Sequence, residues 1–320
     1  MIKRRQFIAG LGGAVAWPLP ARAQQRPAMP VIGYLNTGLA AALLQSLNEN
    51  GYVEGRNVAF EYRSSEDHYD RLPALAAEFV RRQVAVIYAG GAPAARAAKA
   101  ATTTIPNVFA MGEDPVKEGL VASLNRPGGN ITGYSNFNNQ LVSKRLELLR
   151  AIAPKAEVLG LLVNPTNPNA DPDTKDVQAA ADALGLRLQV LKASTERELE
   201  TAFASIVQQP LGGLLVGVDP WFRQRPERIT VPAARYSVPA IYERRSFPAA
   251  GGLMSYSSSV SEGARQAGIF IARILKGAKP TDLPVQRATK FEFVINLGTA
   301  KALGLSIPEA LLATADEVIQ

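Results

Sequence analysis

The sequence predicts an α/β protein built from doubly wound parallel sheets. From Val31 onward, short apolar runs rich in Val, Ile and Leu alternate with longer stretches of helical periodicity. Nearly continuous apolar strands separated by helices indicate parallel sheets that are covered on both faces. The length of 320 residues exceeds one typical domain and therefore indicates two such lobes. Apolar residues make up 47% of the chain and charged residues 20%, a composition typical of stable globular proteins.

The strands and helices follow from the periodicity of apolar residues along the chain. Strands are predicted over residues 31–36, 58–62, 84–89, 107–111, 158–164, 186–191, 214–219 and 240–243. Helices are predicted over residues 39–50, 69–82, 141–153, 174–184, 196–208 and 261–276. This alternation is the pattern of βαβ units, in which each helix carries the chain back across the sheet.

Three passages of the chain between the two lobes are predicted. The first follows residues 125–130, which hold a proline and two glycines and are typical of a turn. The second is expected at residues 253–257, and the third follows Leu283 and Pro284. The predicted lobes are residues 30–133 plus 257–284 at the N-terminal side, and residues 134–256 plus 285–320 at the C-terminal side.

The first residues have the pattern of an export signal. Basic residues 3–5 precede a modest apolar run over residues 7–17, and residues 21–23 form a small-x-small cleavage site before Gln24. The arginine pair and the glycine-rich apolar run favour the twin-arginine route over the Sec route. An uncleaved membrane anchor is the alternative, but it needs about 20 apolar residues and this run is shorter. The sequence therefore predicts a signal peptide over residues 1–23 and a mature protein in the periplasm.

Composition excludes several kinds of catalytic site. The chain has no cysteine, so thiolate catalysis, disulfides and cysteine metal ligands are ruled out. His68 is the single histidine and lies in a polar stretch, which predicts a solvated loop residue instead of a triad member or zinc ligand. No serine stands in a Gly-x-Ser-x-Gly elbow. We therefore expect no enzyme, and the sequence leaves open one alternative, a hydrolase that pairs Glu113 with Asp114 or Asp219 with Glu243.

Charge and glycine patterns exclude nucleic acid and nucleotide cofactors as partners. Loss of residues 1–23 removes four basic residues and no acid, leaving 31 basic against 28 acidic side chains, too small an excess to predict nucleic-acid binding. Residues 10–14 resemble a dinucleotide loop but follow no strand. Gly90 and Gly91 do follow a strand, yet the lysine and the further glycine of a phosphate-binding loop are missing. We therefore predict no cofactor.

Candidate ligand contacts follow from the predicted sheets. In an open parallel sheet, ligands bind beyond the carboxyl ends of the strands. The polar, small and aromatic residues at those ends are Asn36, Thr37, Gly91, Ala92, Glu113, Asp114, Ser135, Asn136, Asn164, Asp219, Trp221, Tyr242 and Tyr256. For each residue alone, an ordinary turn or helix cap is the alternative. As a set they offer backbone amides to a carboxylate, acids to a cation and aromatic faces to an apolar body, the profile of a site for an amino-acid-like ligand.

Asp219 is the candidate with the most specific role. It ends the apolar run over residues 214–218 and precedes Trp221 and Phe222. A carboxylate at this point could pair with the ammonium group of a ligand, or it could cap the next helix. The sequence leaves both roles open.

Six phrases spread over the chain carry a family resemblance. They are GYVEGRNV at residues 51–58, YDRLP at 69–73, DPVK at 114–117, LNRPGGNITG at 124–133, KRLELL at 144–149 and NPTNPN at 164–169. Together they resemble the family of ABC-transporter substrate-binding proteins that includes tryptophan- and tyrosine-type binders. The resemblance spans nearly everything after Pro30. It implies a periplasmic-binding-protein type I fold, in which two lobes are joined by a three-strand hinge and close on the ligand.

The resemblance also implies which residues hold the solute. The pocket of the family falls on the strand-end positions given above, and it carries over to Asn36, Thr37, Gly91, Ala92, Ser135, Asn136, Asp219 and Tyr242. Only 14 residues separate Asn36 from Gly51, whereas relatives usually carry a longer first loop and helix. We therefore expect Asn36 and Thr37 to be the sole ligand contacts from the chain before Gly51.

The sequence thus predicts the periplasmic solute-binding component of an ABC importer. Its solute is expected to be a small carboxylate-bearing molecule, either an amino acid or an aromatic acid, captured in the cleft between the lobes. The protein is expected to be monomeric, to bind no metal or nucleic acid, and to deliver the solute to an ABC permease in the inner membrane. A ligand-sensing module for a receptor and a carboxylate-based periplasmic enzyme are the alternatives.

Overall fold

The computed structural model describes residues 29–35, 41–66 and 68–320, apart from the side chains of Asn139 and Val260. Within these residues the chain is α/β, and helices alternate with the strands of two sheets. The predicted fold class is confirmed. The predicted signal peptide over residues 1–23 lies outside the described residues, as do Asn36 and Thr37.

The elements of the described chain are numbered in chain order. The strands are β1 (Val31–Leu35), β2 (Ala59–Arg63), β3 (Val86–Gly90), β4 (Asn107–Met111), β5 (Ile131–Ser135), β6 (Val158–Val163), β7 (Arg187–Lys192), β8 (Gly213–Val216), β9 (Ala240–Tyr242), β10 (Met254–Ser258), β11 (Gln286–Arg287), β12 (Phe291–Asn296) and β13 (Glu317–Ile319). The helices are α1 (Ala41–Glu49), α2 (Leu72–Arg81), α3 (Ala92–Ala101), α4 (Val142–Ile152), α5 (Ala170–Ala183), α6 (Glu196–Ala204), α7 (Pro220–Arg223), α8 (Pro226–Arg235), α9 (Ser246–Ala249), α10 (Val260–Leu275), α11 (Leu297–Ala302) and α12 (Glu309–Thr314). Of these helices, none is long and apolar enough to cross a membrane.

The first sheet has the strand order β11-β5-β4-β3-β1-β2, and all of its strands run parallel. Helices cover both of its faces. α2 and α3 pack on one face around Phe79 and Phe109, and α1 and α10 pack on the other around Leu43 and Ile271. A Cβ on Gly33 of β1 would stand 2.8 Å from the Phe79 ring, so α2 can approach this closely only because the strand residue is glycine.

The second sheet has the strand order β13-β12-β10-β9-β8-β6-β7. β12 runs antiparallel to β10, and the other neighbours are parallel. α4, α5, α11 and α12 pack on one face around Leu149 and Phe293, while α6 to α9 pack on the other around Phe203 and Phe222. Each sheet is therefore doubly wound, with one layer of helices on either face.

Within the described residues the chain passes between the sheets three times. β5 lies in the first sheet and β6 in the second, so the first passage follows Ser135. β10 lies in the second sheet, but α10 packs against α1 on the first, so the next passage follows Ser258. β11 pairs with β5 before β12 enters the second sheet, and the last passage follows Arg287. The division of the chain at the predicted lobe boundaries stays a prediction.

Some element ends differ from those predicted. The run predicted as a strand up to Asp219 ends at Val216, because Asp219 caps α7. α5 begins at Ala170, four residues before its predicted start. Pro172 falls in its first turn, where backbone N–H groups have no partner within the helix and a proline costs no hydrogen bond.

Candidate ligand-binding site

A cavity of about 250 Å³ lies between the two sheets. From the first sheet it is lined at the carboxyl ends of β3, β4 and β5, by Gly90, Gly91, Met111, Gly112 and Asn136. From the second sheet it is lined by α7 and by the chain that follows β9, through Pro220, Arg223, Gln224 and Arg244. This is the edge at which open parallel sheets bind ligands.

Three tyrosines form the aromatic wall of the cavity. Tyr34, Tyr88 and Tyr134 line it from β1, β3 and β5. The rings of Tyr34 and Tyr88 lie 4.6 Å apart between centroids, and burial raises the pKa of Tyr88, so its phenol stays neutral at physiological pH. The wall combines flat apolar faces with hydroxyl groups. Tyr34 is a lining residue before Gly51 that the sequence did not predict, whereas the predicted Asn36 and Thr37 lie outside the described residues.

The N-terminus of α3 also meets the cavity. Gly91 caps this helix with a φ of +94°, a backbone conformation that L side chains rarely adopt. Its own N–H donates to the Ala110 carbonyl at 2.9 Å. The helix dipole places partial positive charge at this end, which favours a carboxylate nearby.

Two arginines bring full positive charge to the opposite side of the cavity. Arg223 donates through Nε and Nη2 to the two carboxylate oxygens of Glu243, at 2.6 and 3.2 Å. Arg244 Nε lies 3.6 Å from Oε1 of the same carboxylate, and it is buried with no hydrogen-bond partner among the described residues. Burial, and then the Arg223 guanidinium, lower the pKa of Arg244 to about 10, so it remains charged at neutral pH.

A third buried arginine interacts with the same carboxylate. Arg145 of α4 is 1% exposed, and burial lowers its pKa to about 10 against the opposing effect of Glu243. Its Nη2 donates to Asn138 Oδ1, and Asn138 Nδ2 donates to Glu243 Oε2, both at 2.8 Å. Burial by itself would raise the pKa of Glu243, but Arg223 and Arg244 hold it below its ordinary value. Three guanidinium groups thus interact with one ionised carboxylate, which leaves this side of the cavity positively charged.

Asp219 lies in a polar cluster of its own and caps α7. Its Oδ1 accepts two backbone N–H groups of that helix at 2.8 and 3.4 Å and the Asn164 amide at 3.2 Å. Its Oδ2 accepts the Asn167 amide at 2.8 Å and the Tyr69 hydroxyl at 2.9 Å. Burial raises the pKa of Asp219, and these hydrogen bonds act in the opposite direction. The helix-cap role that the sequence left open is the one that the structure shows.

Three hydrogen bonds outside the cavity connect the two sheets, and we call them the inter-sheet bonds. One is the bond from Tyr69, which packs with the core of the first sheet, to Asp219. In the second, Asn169 Nδ2 at the start of α5 donates to Glu113 Oε1 at 2.7 Å. In the third, Arg96 Nη2 of α3 donates to Asn169 Oδ1 at 2.8 Å. Burial raises the pKa of Glu113, although its bond to Asn169 opposes this.

The predicted site residues fall into several groups. Gly91 and Asn136 line the cavity. Glu113, Asn164 and Asp219 are buried in the polar contacts described above. The ligand contacts predicted for all of these residues stay predictions.

Three further candidates serve the local structure around the first sheet. Asp114 Oδ1 accepts the Val116 N–H at 2.9 Å. The Ser135 hydroxyl donates to the Glu113 carbonyl at 2.6 Å. Ala92 is fully buried in the core between α3 and the sheet. Asp114 thus has the turn role that was the alternative to ligand binding, and the ligand contacts predicted for all three residues stay predictions.

The three aromatic candidates pack within the second sheet and its helices. Trp221 is 4% exposed and lies beneath the guanidinium of Arg225, 4.8 Å from its ring centroid. Tyr242 stacks on Phe247 at 4.6 Å, and its buried hydroxyl has no hydrogen-bond partner in the described part of the chain. Tyr256 contacts two phenylalanine rings of β12 at 6.1 and 6.2 Å between centroids. Their place in the structure is therefore that of core residues.

Sequence reasoning missed Tyr34, Tyr88, Arg223 and Arg244. The two tyrosines lie inside apolar runs, where an aromatic residue is usually part of the core. Arg244 directly follows Tyr242 and Glu243, and Arg223 stands one helical turn beyond the end of the strand-like run. Extending the search by one turn past each strand would have found both arginines.

Metal binding and paired-carboxylate chemistry receive no support from the described residues. These residues hold no group of three or more His, Asp or Glu side chains that could bind a metal ion. His68 is exposed, as predicted for a solvated loop residue. Asp219 and Glu243, one of the carboxylate pairs that the sequence left open, are held by different partners.

Comparison with known proteins gives consistent matches. Residues 37–319 match the family model described as ABC transporter substrate binding protein. The chain is 28% identical over 262 residues to the tyrosine-binding protein of Clostridioides difficile, covering 82% of this chain and 75% of that protein. The crystal structure of a conserved domain protein from Vibrio cholerae is 28% identical with a TM-score of 0.82, and the ABC domain in complex with L-Trp from Streptococcus pneumonia is 24% identical with a TM-score of 0.79. Both alignments cover 91% of this chain and 99% of the other.

Proposed function

The chain belongs to the family of ABC transporter substrate-binding proteins, and from this membership we propose that it captures a small carboxylate-bearing solute for an ABC importer. The proposed binding site is the cavity between the two sheets. The observation that carries the proposal is the charge of that cavity, where Arg223 and Arg244 share the carboxylate of Glu243. A solute carboxylate would supply the missing negative charge.

Arg244 is the proposed anchor for the solute carboxylate. Its Nε has no hydrogen-bond partner within the described chain, whereas the Arg223 guanidinium is already bound to both oxygens of Glu243. A hydrogen bond between two charged groups contributes about 1.5 to 3 kcal/mol, because the interaction is charge-assisted. The N-terminus of α3 adds a favourable dipole on the facing side of the cavity.

The three tyrosines support an aromatic or otherwise apolar body for the solute. Tyr34 and Tyr88 are buried side by side at the cavity, and aromatic rings prefer offset or edge-to-face contacts with other rings. The relative from Clostridioides difficile is a tyrosine-binding protein. Both points favour an amino acid or an aromatic acid over a sugar.

Closure of two lobes about a hinge is the proposed mechanism of capture. We propose lobes with the boundaries predicted from the sequence, which meet across the cavity. The inter-sheet bonds support a closed arrangement, because they would have to break if the sheets moved apart. The solute would then be enclosed between the strand ends of one lobe and the two arginines of the other.

Export and delivery complete the proposal. Proteins of this family act outside the cytoplasmic membrane, and residues 1–23 would direct this chain to the periplasm by the twin-arginine route. The proposed partner is an ABC permease in the inner membrane. We propose that the protein docks on it as a monomer and binds its solute without catalysing a reaction. A sensing module for a receptor would need the same cavity. Uptake of the solute that depends on a permease is expected of a transport protein and not of a sensing module.

A thermal-shift screen of the mature protein tests the proposed solute class. Amino acids, aromatic acids and sugars are each added in excess, and the melting temperature is measured. A solute at 100 times its dissociation constant adds about 2.7 kcal/mol to the free energy of unfolding. We expect stabilisation by carboxylate-bearing compounds and none by neutral sugars. Stabilisation by neutral sugars alone would contradict the proposal.

A further inference from the structure

We propose that the solute is an apolar or aromatic carboxylic acid that carries no α-ammonium group. The inference rests on the function proposed above and narrows its substrate class. An amino acid needs a site for its ammonium as well as for its carboxylate, and buried charges in proteins are paired. Among the described residues that line the cavity there is no aspartate or glutamate.

Glu243 is the acid that pairs with the cavity arginines, and both of its oxygens already accept hydrogen bonds. Oε1 accepts from Arg223 at 2.6 Å and lies 3.6 Å from Arg244 Nε. Oε2 accepts from Arg223 at 3.2 Å and from Asn138 at 2.8 Å. The residue is 1% exposed. An ammonium would have to approach it beside two guanidinium groups, which repel it.

Asp219, the acid that the sequence suggested for this role, is saturated. A carboxylate offers about four acceptor positions, and Asp219 accepts five hydrogen bonds at 3.4 Å or less. One of them is donated to Oδ2 by the hydroxyl of Tyr69, which packs with the core of the first sheet. The side chain is 2% exposed and is absent from the lining of the cavity.

Glu113 is the remaining buried acid near the strand ends. Its two oxygens accept the Gly112 N–H at 2.9 Å and the Asn169 amide at 2.7 Å. It too is absent from the lining. The charged side chains in the described lining are those of Arg223 and Arg244, which repel an ammonium.

The residues outside the described chain leave one acid to consider. Residues 1–28 and 36–40 contain no aspartate or glutamate, and Asp67 is the single acid among the undescribed positions. Asp67→Asn therefore belongs in the test as a variant. Glu262, which precedes the lining residue Gly263, lies 3.4 Å from Arg265 and accepts from Gln266 at 2.6 Å, and its side chain is 43% exposed.

Isothermal titration calorimetry with matched ligand pairs tests the inference. Each pair differs only in the α-amino group: 3-phenylpropanoate and L-phenylalanine, 3-(4-hydroxyphenyl)propanoate and L-tyrosine, and indole-3-propanoate and L-tryptophan. In the pair that binds best, we expect the acid without the amine to bind at least tenfold more tightly. An amino acid that binds as tightly as its partner, or more tightly, would overturn the inference and leave the proposed function standing. If no member of any pair binds, the inference fails, and the thermal-shift screen decides the proposed function separately.

Two variants test whether an acidic side chain outside the described lining binds the ammonium group of an amino acid. Asp67→Asn and Asp219→Asn are each measured against the same pairs, with circular dichroism to establish that the fold is intact. We expect the affinity ratio within a pair to change by less than twofold in Asp67→Asn. A specific loss of amino-acid affinity in either variant would identify the ammonium partner and refute the inference. If Asp219→Asn does not fold, the inference is still tested by the ligand pairs measured on the wild type and on Asp67→Asn.

Discussion

The Arg244→Gln variant tests the contribution of Arg244 to solute binding separately from its contribution to folding. Arg244 Nε is buried without a hydrogen-bond partner among the described residues and lies 3.6 Å from Glu243. Removing its charge deprives a bound carboxylate of a charge-assisted hydrogen bond, whose value is about 1.5 to 3 kcal/mol. Since 1.4 kcal/mol corresponds to a tenfold change in affinity, we expect Arg244→Gln to weaken binding by roughly 10-fold to 150-fold.

The same substitution should leave the folded state intact. Glu243 keeps its two hydrogen bonds from Arg223, so its carboxylate remains paired. Burying a charged group costs free energy unless it is fully hydrogen-bonded, and the buried Nε of Arg244 lacks a hydrogen bond among the described residues. We therefore expect a melting temperature for Arg244→Gln, without solute, equal to or slightly above that of the wild type.

The neighbouring residue provides a matched control. Arg245 has a side chain that is 52% exposed and pairs with Glu317 on the surface. Exposed ion pairs contribute little to stability, and Arg245 does not line the cavity. Arg245→Gln should bind within twofold of the wild type in isothermal titration calorimetry. If Arg244→Gln also binds like the wild type, Arg244 is not the carboxylate anchor and the charge argument is wrong.

Three other predictions concern the buried charge, a helix cap and export. The pKa of Glu243 lies below its ordinary value in the folded state, so its contribution to stability is complete above the unfolded pKa of about 4.3 and is lost as the pH falls from there through the folded pKa. Glu243→Gln should therefore destabilise by several kcal/mol at pH 7 in urea titrations. The difference in free energy of unfolding from the wild type should begin to narrow only below about pH 4.3, and a difference that already narrows well above that pH would contradict this. Thr195→Ala removes the side-chain cap of α6 and should cost about 1 kcal/mol in the same titrations, whereas Thr201→Ala within the helix should cost less; equal losses would argue against the cap. Protein recovered from the periplasm should begin near Gln24 by mass spectrometry, and intact residues 1–23 in cells with working export would refute the signal peptide.

The layers of the fold could be predicted because each strand and helix carries its own local pattern. Runs such as 158–163 are apolar throughout because both faces of the strand are covered. The antiparallel direction of β12 could not be predicted, since it depends on the path of the chain after α10 and through β11, and no local pattern records that path.

The candidate site was predictable in position but less so in its residues. Parallel strands bring their ends to one edge, so the place of Gly91 and Asn136 follows from the strands themselves. Asp219 stands directly before Pro220, and a proline at the first helical position is a known signal of a capped helix, so its cap could have been preferred. The interaction of both Arg223 and Arg244 with Glu243 could not be predicted from the sequence, because it arises only when α7 packs beside the end of β9.

The inter-sheet bonds bear on how fast a solute could enter and leave. They form between Tyr69, Asp219, Asn169, Glu113 and Arg96, all away from the lining of the cavity. If the lobes close as proposed, these bonds must break before a solute can enter, and the apparent dissociation constant rises in proportion to the inverse of the fraction of molecules that are open. The same bonds lengthen the residence time of a solute already inside. Slow exchange in both directions is therefore the kinetic behaviour that this arrangement favours.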